Sequence, residues 1–361
     1  MLDRDVDPQL LLLRRQYMQL FEPDFLAWPP PKFLKATDVQ KWLYRYMFDP
    51  SRNPRLPPEG YRMLVLKRLI SKIEKVTGNP EDEVSTELRA CLTSFMTRAV
   101  PSEFQVSQEK AYVTFACIAE KNLDGADNDD DDDGGGLEPT IALLERRHLV
   151  SGSQTTGFRT WEGSLHLGSY LLTNAGSPLV RGKNVLELGA GTGFLTILSA
   201  KHLDAKHVTT TDGDQEVIKA LRENIALNEV DDQQRVRAET LTWGCNLKDT
   251  WVEDDCAAHP YDVVLGADIT YNKVVITALV STLEGLFDLR PTLKVIISSV
   301  IRNAETFQTF RDECSMCSHI HIPFRHFAVE DIKFEPKLMR QQKALFYATA
   351  MPIEILSITR P

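Results

Sequence analysis

Three acidic residues, three aromatic ones and a glycine run are the parts of this chain that can do chemistry. The run is Asn184-Val185-Leu186-Glu187-Leu188-Gly189-Ala190-Gly191-Thr192-Gly193-Phe194. An apolar stretch leads into Glu187, then into glycines at alternate positions, then into an amphipathic segment. Glycine there lets the backbone approach a ligand that a Cβ would hold off. The same order builds a nucleotide-sized crevice at the carboxyl end of a strand in an open α/β sheet. Asp212 ends the next expected strand, His207–Asp212, where a carboxylate can accept hydrogen bonds from both hydroxyls of a ribose. Its competing role is a helix N-cap, for which Asp214 is better placed.

Two ligand classes compete for the glycine run. A dinucleotide needs G-x-G-x-x-G, with a helix N-terminus aimed at pyrophosphate. Here the spacing is G-x-G-x-G: the third glycine would have to be Thr196 counted from Gly191, or Phe194 counted from Gly189. Glu187 is also a poor neighbour for a diphosphate. It suits a ligand that carries an amino group and a sulfonium. The spacing therefore favours S-adenosylmethionine over a dinucleotide, with a purely structural βα turn as the remaining reading.

The other residues follow later strands. Trp243, in Leu241-Thr242-Trp243-Gly244, can lay its indole against an adenine or pack a strand end. Asp268 directly follows the apolar run Tyr261–Ala267, so it is expected at the strand's carboxyl edge, with Ala267 counted among the cofactor-contacting residues. Tyr271 lies three residues on, which puts both on one face of the next turn. A carboxylate and a phenol at a reaction mouth suit an amine nucleophile. Trp161, in Gly157-Phe158-Arg159-Thr160-Trp161-Glu162, can cover the cofactor or pack the start of a helix.

These residues need elements to position them. After Gly157 the pattern alternates helix and strand. Helices are expected over about Glu162–Asn174, through Ala200, and over Gln215–Asn228, Lys273–Phe287 and Ala304–Cys314. Strands are expected at Asn184–Leu188, His207–Asp212, Arg235–Glu239, Tyr261–Ala267 and Leu293–Ser299. His319–Pro323, Leu345–Ala350 and Ile353–Ile358 are late candidates. Successive βα units give a parallel sheet with helices on both faces. The crowded late strands suggest an antiparallel pair that closes it. Asn224 and Asn228 read as structural.

The first hundred residues read as helices over Leu10–Leu20, Val39–Phe48 (capped by Asp38), Glu59–Val76 and Asp82–Thr97, broken at Pro29–Pro31 and Pro54–Pro58. Ala111–Ala119 and Thr140–Leu144 read as a hairpin. The acidic and glycine-rich stretch between them, about 124–137, reads as a solvated, disordered hairpin loop. The boundary is placed at residue 107, giving a helical accessory domain at 1–107 and a second domain at 108–361.

Composition excludes some classes. The net charge of −10 over 361 residues argues against a general nucleic-acid binder. Six scattered cysteines suit a reduced, cytoplasmic protein. Cys314-x-x-Cys317 has no partner pair, and His319 and His321 have no ligand neighbours, so no metal site is expected. No apolar run reaches membrane-spanning length. A monomer is expected.

Taken together, these residues resemble the seven-β-strand protein-lysine methyltransferases known as methyltransferase family 16. The resemblance rests on Asp268-Ile269-Thr270-Tyr271 after the fourth strand, the loop Glu187–Gly193, the element Leu241-Thr242-Trp243-Gly244, and Trp161. Thr242 stands where the family usually has aspartate. Within the family, Thr155-Thr156-Gly157-Phe158-Arg159-Thr160-Trp161-Glu162 is similar to a segment of the elongation factor 2 lysine methyltransferases, fungal form included, as is the helical extension. The resemblance implies a Rossmann-like class I fold with S-adenosylmethionine as cofactor. It implies transfer of a methyl group to a lysine of elongation factor 2, with Asp268 and Tyr271 at the acceptor. Two other readings stay open: a methyltransferase-like binding module without catalysis, and a methyltransferase acting on another protein or a small molecule.

Overall fold

The computed structural model describes residues 6–75, 84–97, 110–122, 138–146, 156–232, 234–315 and 327–361. The chain divides into two compact units, Met1–Ala116 with Asp130–Gly152, and Cys117–Asp129 with Ser153–Pro361.

The first unit contains helices α1 (Pro8–Met18), α2 (Pro31–Leu34), α3 (Thr37–Leu43), α4 (Glu59–Glu74) and α5 (Thr86–Met96). Asp7 caps α1 by accepting from the Gln9 N–H, and Ser85 caps α5 by accepting from the Leu88 N–H. Leu10, Leu13 and Tyr17 of α1 share one core with Val65, Leu66 and Leu69 of α4. The helix expected from Val39 instead begins at Thr37, with Ala36 at its N-cap, and runs into a π-helical turn, Tyr44–Phe48. Asp38 sits in the first turn, where its charge still opposes the helix dipole favourably.

Strands β1 (Lys110–Ala116) and β2 (Thr140–Arg146) pair antiparallel. Glu138, just before β2, forms an ion pair with Arg15 of α1. The hairpin therefore groups with the helices, and the division into units does not follow the expected boundary at residue 107. That residue and the acidic stretch 124–137 lie outside the described residues.

The second unit runs α6 (Glu162–Leu171), β3 (Asn184–Leu188), α7 (Phe194–His202), β4 (His207–Asp212), α8 (Gln215–Leu227) and β5 (Val236–Thr240). It continues through α9 (Trp251–Ala258), β6 (Val263–Ala267), α10 (Lys273–Leu289), β7 (Lys294–Val300), α11 (Ala304–Ser315), β8 (Ala328–Ile332) and β9 (Ile353–Thr359). Its seven strands lie in the order β5-β4-β3-β6-β7-β9-β8. The pairs from β5 to β7 are parallel, whereas β9 runs antiparallel to both β7 and β8. This is a Rossmann-like α/β sheet. Every residue of β3 is buried, as expected for a central strand covered on both faces. Leu186, Leu188 and Val264 pack with Leu279, Leu283 and Phe287 of α10 in one core.

From β3 the chain builds outward through β4 to β5, then returns to β6 on the other side of β3. A ligand crevice opens at such a reversal, outside the carboxyl ends of the strands. The end of β3 leads into the glycine loop and the end of β6 leads into Asp268.

Two late elements differ from expectation. Leu345–Ala350 is not a strand: the Gln342 side chain donates to the Tyr347 carbonyl at 3.1 Å and accepts from the Tyr347 N–H at 2.8 Å. One amide side chain thus satisfies the backbone that a neighbouring strand would otherwise pair. The strand beside β9 is Ala328–Ile332, which the sequence pattern did not mark. Nor did it mark α9. The candidate strand His319–Pro323 and residue Cys317 lie outside the described residues. Among the described residues no helix is long and apolar enough to cross a membrane, and no cluster of histidine, cysteine and carboxylate side chains is placed to hold a metal ion.

Candidate active site

The glycine loop is held in a shape that side chains would oppose. Gly189 and Gly193 have φ of +64° and +86°, in the left-handed region where a Cβ is disfavoured. A Cβ on Gly189 would lie 2.6 Å from Ile269 Cγ2 and 3.4 Å from Trp243 Cζ2. A Cβ on Gly193 would lie 2.3 Å from Leu221 Cδ1. Three hydrogen bonds then fix the loop. Gly191 N–H donates to Asp212 Oδ2 at 3.1 Å, and Asn224 Nδ2 donates to the Thr192 carbonyl at 2.9 Å. The Thr160 and Thr192 hydroxyls lie 2.7 Å apart. Asn224 is thus structural, as read from the sequence.

A cavity of about 560 Å³ opens over this loop. Gly189, Gly191, Asp212 and Trp243 line it, and so do Trp161, Ala267, Asp268 and Tyr271. Eight of the ten expected site residues therefore meet on one wall. The Trp243 ring lies beside the bare Gly189 backbone on this wall, an arrangement that suits a planar base. Asp212 reaches the cavity from the end of β4. Burial pushes its carboxyl above the ordinary range, opposed by N–H groups of Asp214, Gly191 and Gly213.

Glu187 and Gly193 are not on that wall. Gly193 is the N-cap of α7. Glu187 is 3 % exposed, and its carboxyl accepts from the Thr196 hydroxyl of α7. Burial pushes its pKa up to about 8, so it is mainly protonated at neutral pH. It sits behind the loop, bonded to α7, rather than on the cavity wall.

Asp268 is the most constrained group of the site. Its φ is +52°, in the left-handed region, directly after β6. Asp tolerates that conformation better than most side chains. The turn sends the carboxyl inward, where Oδ2 accepts from the Gly163 N–H at 2.8 Å and Oδ1 from the Val300 N–H at 2.9 Å. The first donor belongs to the free N–H groups at the start of α6, the second to the end of β7. Burial raises the pKa of this carboxyl, while the two N–H donors and Arg302 oppose the shift.

The residues between Asp268 and Tyr271 have separate structural tasks. Ile269 fills the space left bare by Gly189 and Gly266, whose added Cβ atoms would lie 2.6 and 2.5 Å from it. The Thr270 and Ser299 hydroxyls lie 2.8 Å apart, which ties the turn to β7. Tyr271 is 54 % exposed, and its hydroxyl is 3.4 Å from Thr156 Oγ1. Trp161 Nε1 donates to the Thr156 carbonyl at 3.0 Å. Thr156 thus joins the two aromatic groups.

Several wall residues were not anticipated, among them Thr156, Arg159, Arg302 and Phe307. Arg159 lay inside the segment already noted around Trp161. Arg302 gave no signal, because it reaches the cavity from the turn after β7, far along the chain.

Comparison with known proteins fits this geometry. The family described as lysine methyltransferase matches residues 148–313, which hold the glycine loop, Asp212, Trp243 and Asp268 to Tyr271. The chain is 39 % identical to the protein-lysine N-methyltransferase EFM3 of Chaetomium thermophilum, over 98 % of each chain. It is 31 % identical to EFM3 of Saccharomyces cerevisiae, over 61 % of this chain and 66 % of that one. It is 27 % identical to the human protein-lysine N-methyltransferase EEF2KMT, over 61 % of this chain and 64 % of that protein. The sheet order and the crevice are those of the Rossmann-like class I methyltransferase fold. With a full-length match of that identity, the chain belongs to the lysine methyltransferase family.

Proposed function

We propose that this chain is a protein-lysine N-methyltransferase that uses S-adenosylmethionine and modifies a lysine of translation elongation factor 2. The observation that carries the proposal is one cavity that joins Gly189, Gly191, Asp212 and Trp243 to Asp268 and Tyr271. The elongation factor 2 assignment rests on the similarity of the Thr155–Glu162 segment and on the relatives named above. A cytoplasmic location belongs to the same proposal, as does a docking role for the N-terminal helices.

The residues present fit the cofactor. Asp212 would accept from the ribose hydroxyls, Trp243 would face the adenine, and the Gly189 and Gly191 backbone would approach the ligand closely. Ala267 and Trp161 would close the other sides. When bound, S-adenosylmethionine supplies an electrophilic methyl group on a sulfonium.

The protein must then bring a neutral amine into line with that methyl. A lysine with a reference pKa near 10.4 loses its proton at pH 7 at a cost of roughly 4.6 kcal/mol. A partly desolvated cavity lowers that cost by disfavouring the charged form. Each Asp268 oxygen accepts one backbone N–H, so each keeps acceptor capacity for the N–H groups of the incoming amine. The two backbone donors stop the carboxyl from turning away. Tyr271 stands at the mouth, with its ring face and hydroxyl available to the lysine stem and head. No strong general base is needed in this scheme, because the proton can leave through water before the amine settles.

The test is intact mass of purified elongation factor 2 after incubation with this protein and S-adenosylmethionine. A gain of whole methyl groups, mapped to one lysine, is expected. No gain there, with label entering another protein of a cell extract, would overturn the substrate. Binding of S-adenosylhomocysteine with no transfer to any acceptor would leave a binding module instead.

A further inference from the structure

The cation Arg302 has no part in the scheme above, yet it sits at its centre. It lies in the turn between β7 and α11 and lines the cavity. Its Nη2 is 3.1 Å from Glu162 Oε2, and its Nη1 is 3.8 Å from Asp268 Oδ1. Its guanidinium carbon stands 5.1 Å from the centre of the Trp161 ring. Ion pair and ring face together fix where the charge lies.

We infer that Arg302 is a positioning residue of the acceptor site: it holds a permanent positive charge beside Asp268 that opposes protonation of the entering lysine. The inference rests on the proposed lysine transfer.

The charges around this point can be named. Glu162 faces it from α6 and Asp268 from the end of β6. Arg159, from the segment before α6, stands 5.2 Å from the same Trp161 ring. Asn303, just before α11, and Thr306 of α11 line the cavity without charge, and Glu305 is paired with Lys273 at 3.0 Å. Tyr271 is the phenol on the α10 side. Two carboxylates thus face the one guanidinium of Arg302. Without Arg302 that pair of carboxylates would lose its cation, and an amine placed there would keep its proton to higher pH. The same charge favours ionised Asp268, the form that accepts two N–H groups and an amine.

The experiment is kcat against pH with cofactor and acceptor saturating, which reports groups in the bound complex. In Arg302→Gln the rising limb is expected to move to higher pH by about one unit. S-adenosylhomocysteine affinity should stay within a few fold. Arg302→Lys keeps the charge without the planar stack, and its limb should stay at the wild-type position. An acceptor with γ-thialysine, a less basic amine, should recover activity of Arg302→Gln at neutral pH. Should the glutamine variant not fold, Arg302→Met keeps the stem on Trp161 without the charge and reads the same limb. A limb that does not move in the uncharged variants would overturn the inference. So would a limb that moves equally in Arg302→Lys, since packing would then be the cause. Absence of transfer by the wild-type protein would remove the proposed function itself, and this inference with it.

Discussion

The Gly163 N–H donates to Asp268 Oδ2 at 2.8 Å, and a Cβ on Gly163 would lie 2.6 Å from that same oxygen. The start of α6 therefore acts as a clamp for a carboxylate that arrives from β6. The clamp closes only because the residue at that point has no side chain. Its partial positive charge also suits an anion.

Gly163→Ala tests the clamp. The added methyl group must push the Asp268 carboxyl away from the helix. Transfer is expected to fall roughly 10- to 100-fold, as for small misplacements of reacting groups. Cofactor affinity should hardly change, because the loop over β3 is untouched. Steady-state kinetics with calorimetric binding of S-adenosylhomocysteine would check both. Unchanged turnover would show that Asp268 need not be held there.

Asp268→Asn tests the carboxyl itself. An amide has one acceptor oxygen, so either Gly163 or Val300 would face an NH₂ group. The buried mismatch is expected to cost about 1–3 kcal/mol of stability. Turnover should drop about 100-fold or more, while cofactor binding survives. Thermal melts and radiolabelled methyl transfer measure the two effects. Wild-type turnover would sink the assignment of Asp268.

Gly193→Ala tests the loop's shape. Its φ of +86° and the contact with Leu221 both oppose a side chain. A loss of about 1–3 kcal/mol is expected in urea denaturation. Combined with Leu221→Ala, the total loss should be smaller than the sum of the two single losses, because the clash disappears. Strict additivity would mean that the clash is not the cause.

Glu187→Gln tests the buried acid through pH. Burial raises its folded pKa from 4.5 to about 8. Below pH 4.5 the group is protonated in both folded and unfolded chains. From 4.5 to about 8 the unfolded chain ionises first, so the wild-type protein loses stability across that window. Above about 8 the loss levels off. Glutamine cannot ionise, so the variant should be the more stable at pH 7, on the order of 3 kcal/mol. The gap should close towards pH 4.5. Parallel stability curves between pH 4.5 and 8 would show that the group is ionised in the folded protein.

Much of this site could be read from the chain alone because its parts are local. Glu187 to Gly193 is a contiguous segment, and its spacing favoured S-adenosylmethionine over a dinucleotide. Asp212 ends a β-branched run, Trp243 follows an alternating one and Asp268 an apolar one, each of which makes a strand, so strand ends marked them. The alternation of those runs with helical segments implied a parallel sheet and a crevice at its carboxyl edge. The periodicity that encodes an element's type lies within the element, and so do the residues at its end.

What depends on partners across the fold was not legible. The hairpin β1–β2 groups with the N-terminal helices, while Ala328–Ile332, which was not among the late candidate strands, pairs with β9. Glu187 read as a ligand-facing carboxylate, and it lies buried against α7, which raises its pKa to about 8. Arg302 carried no sequence signal, and only the β6–β7 pairing brings it beside Asp268. Local pattern decides which residues stand at a strand's end. Which other strands and helices meet there decides their charge, their burial and their neighbours, because desolvation and pairing are properties of contacts between elements distant in the chain.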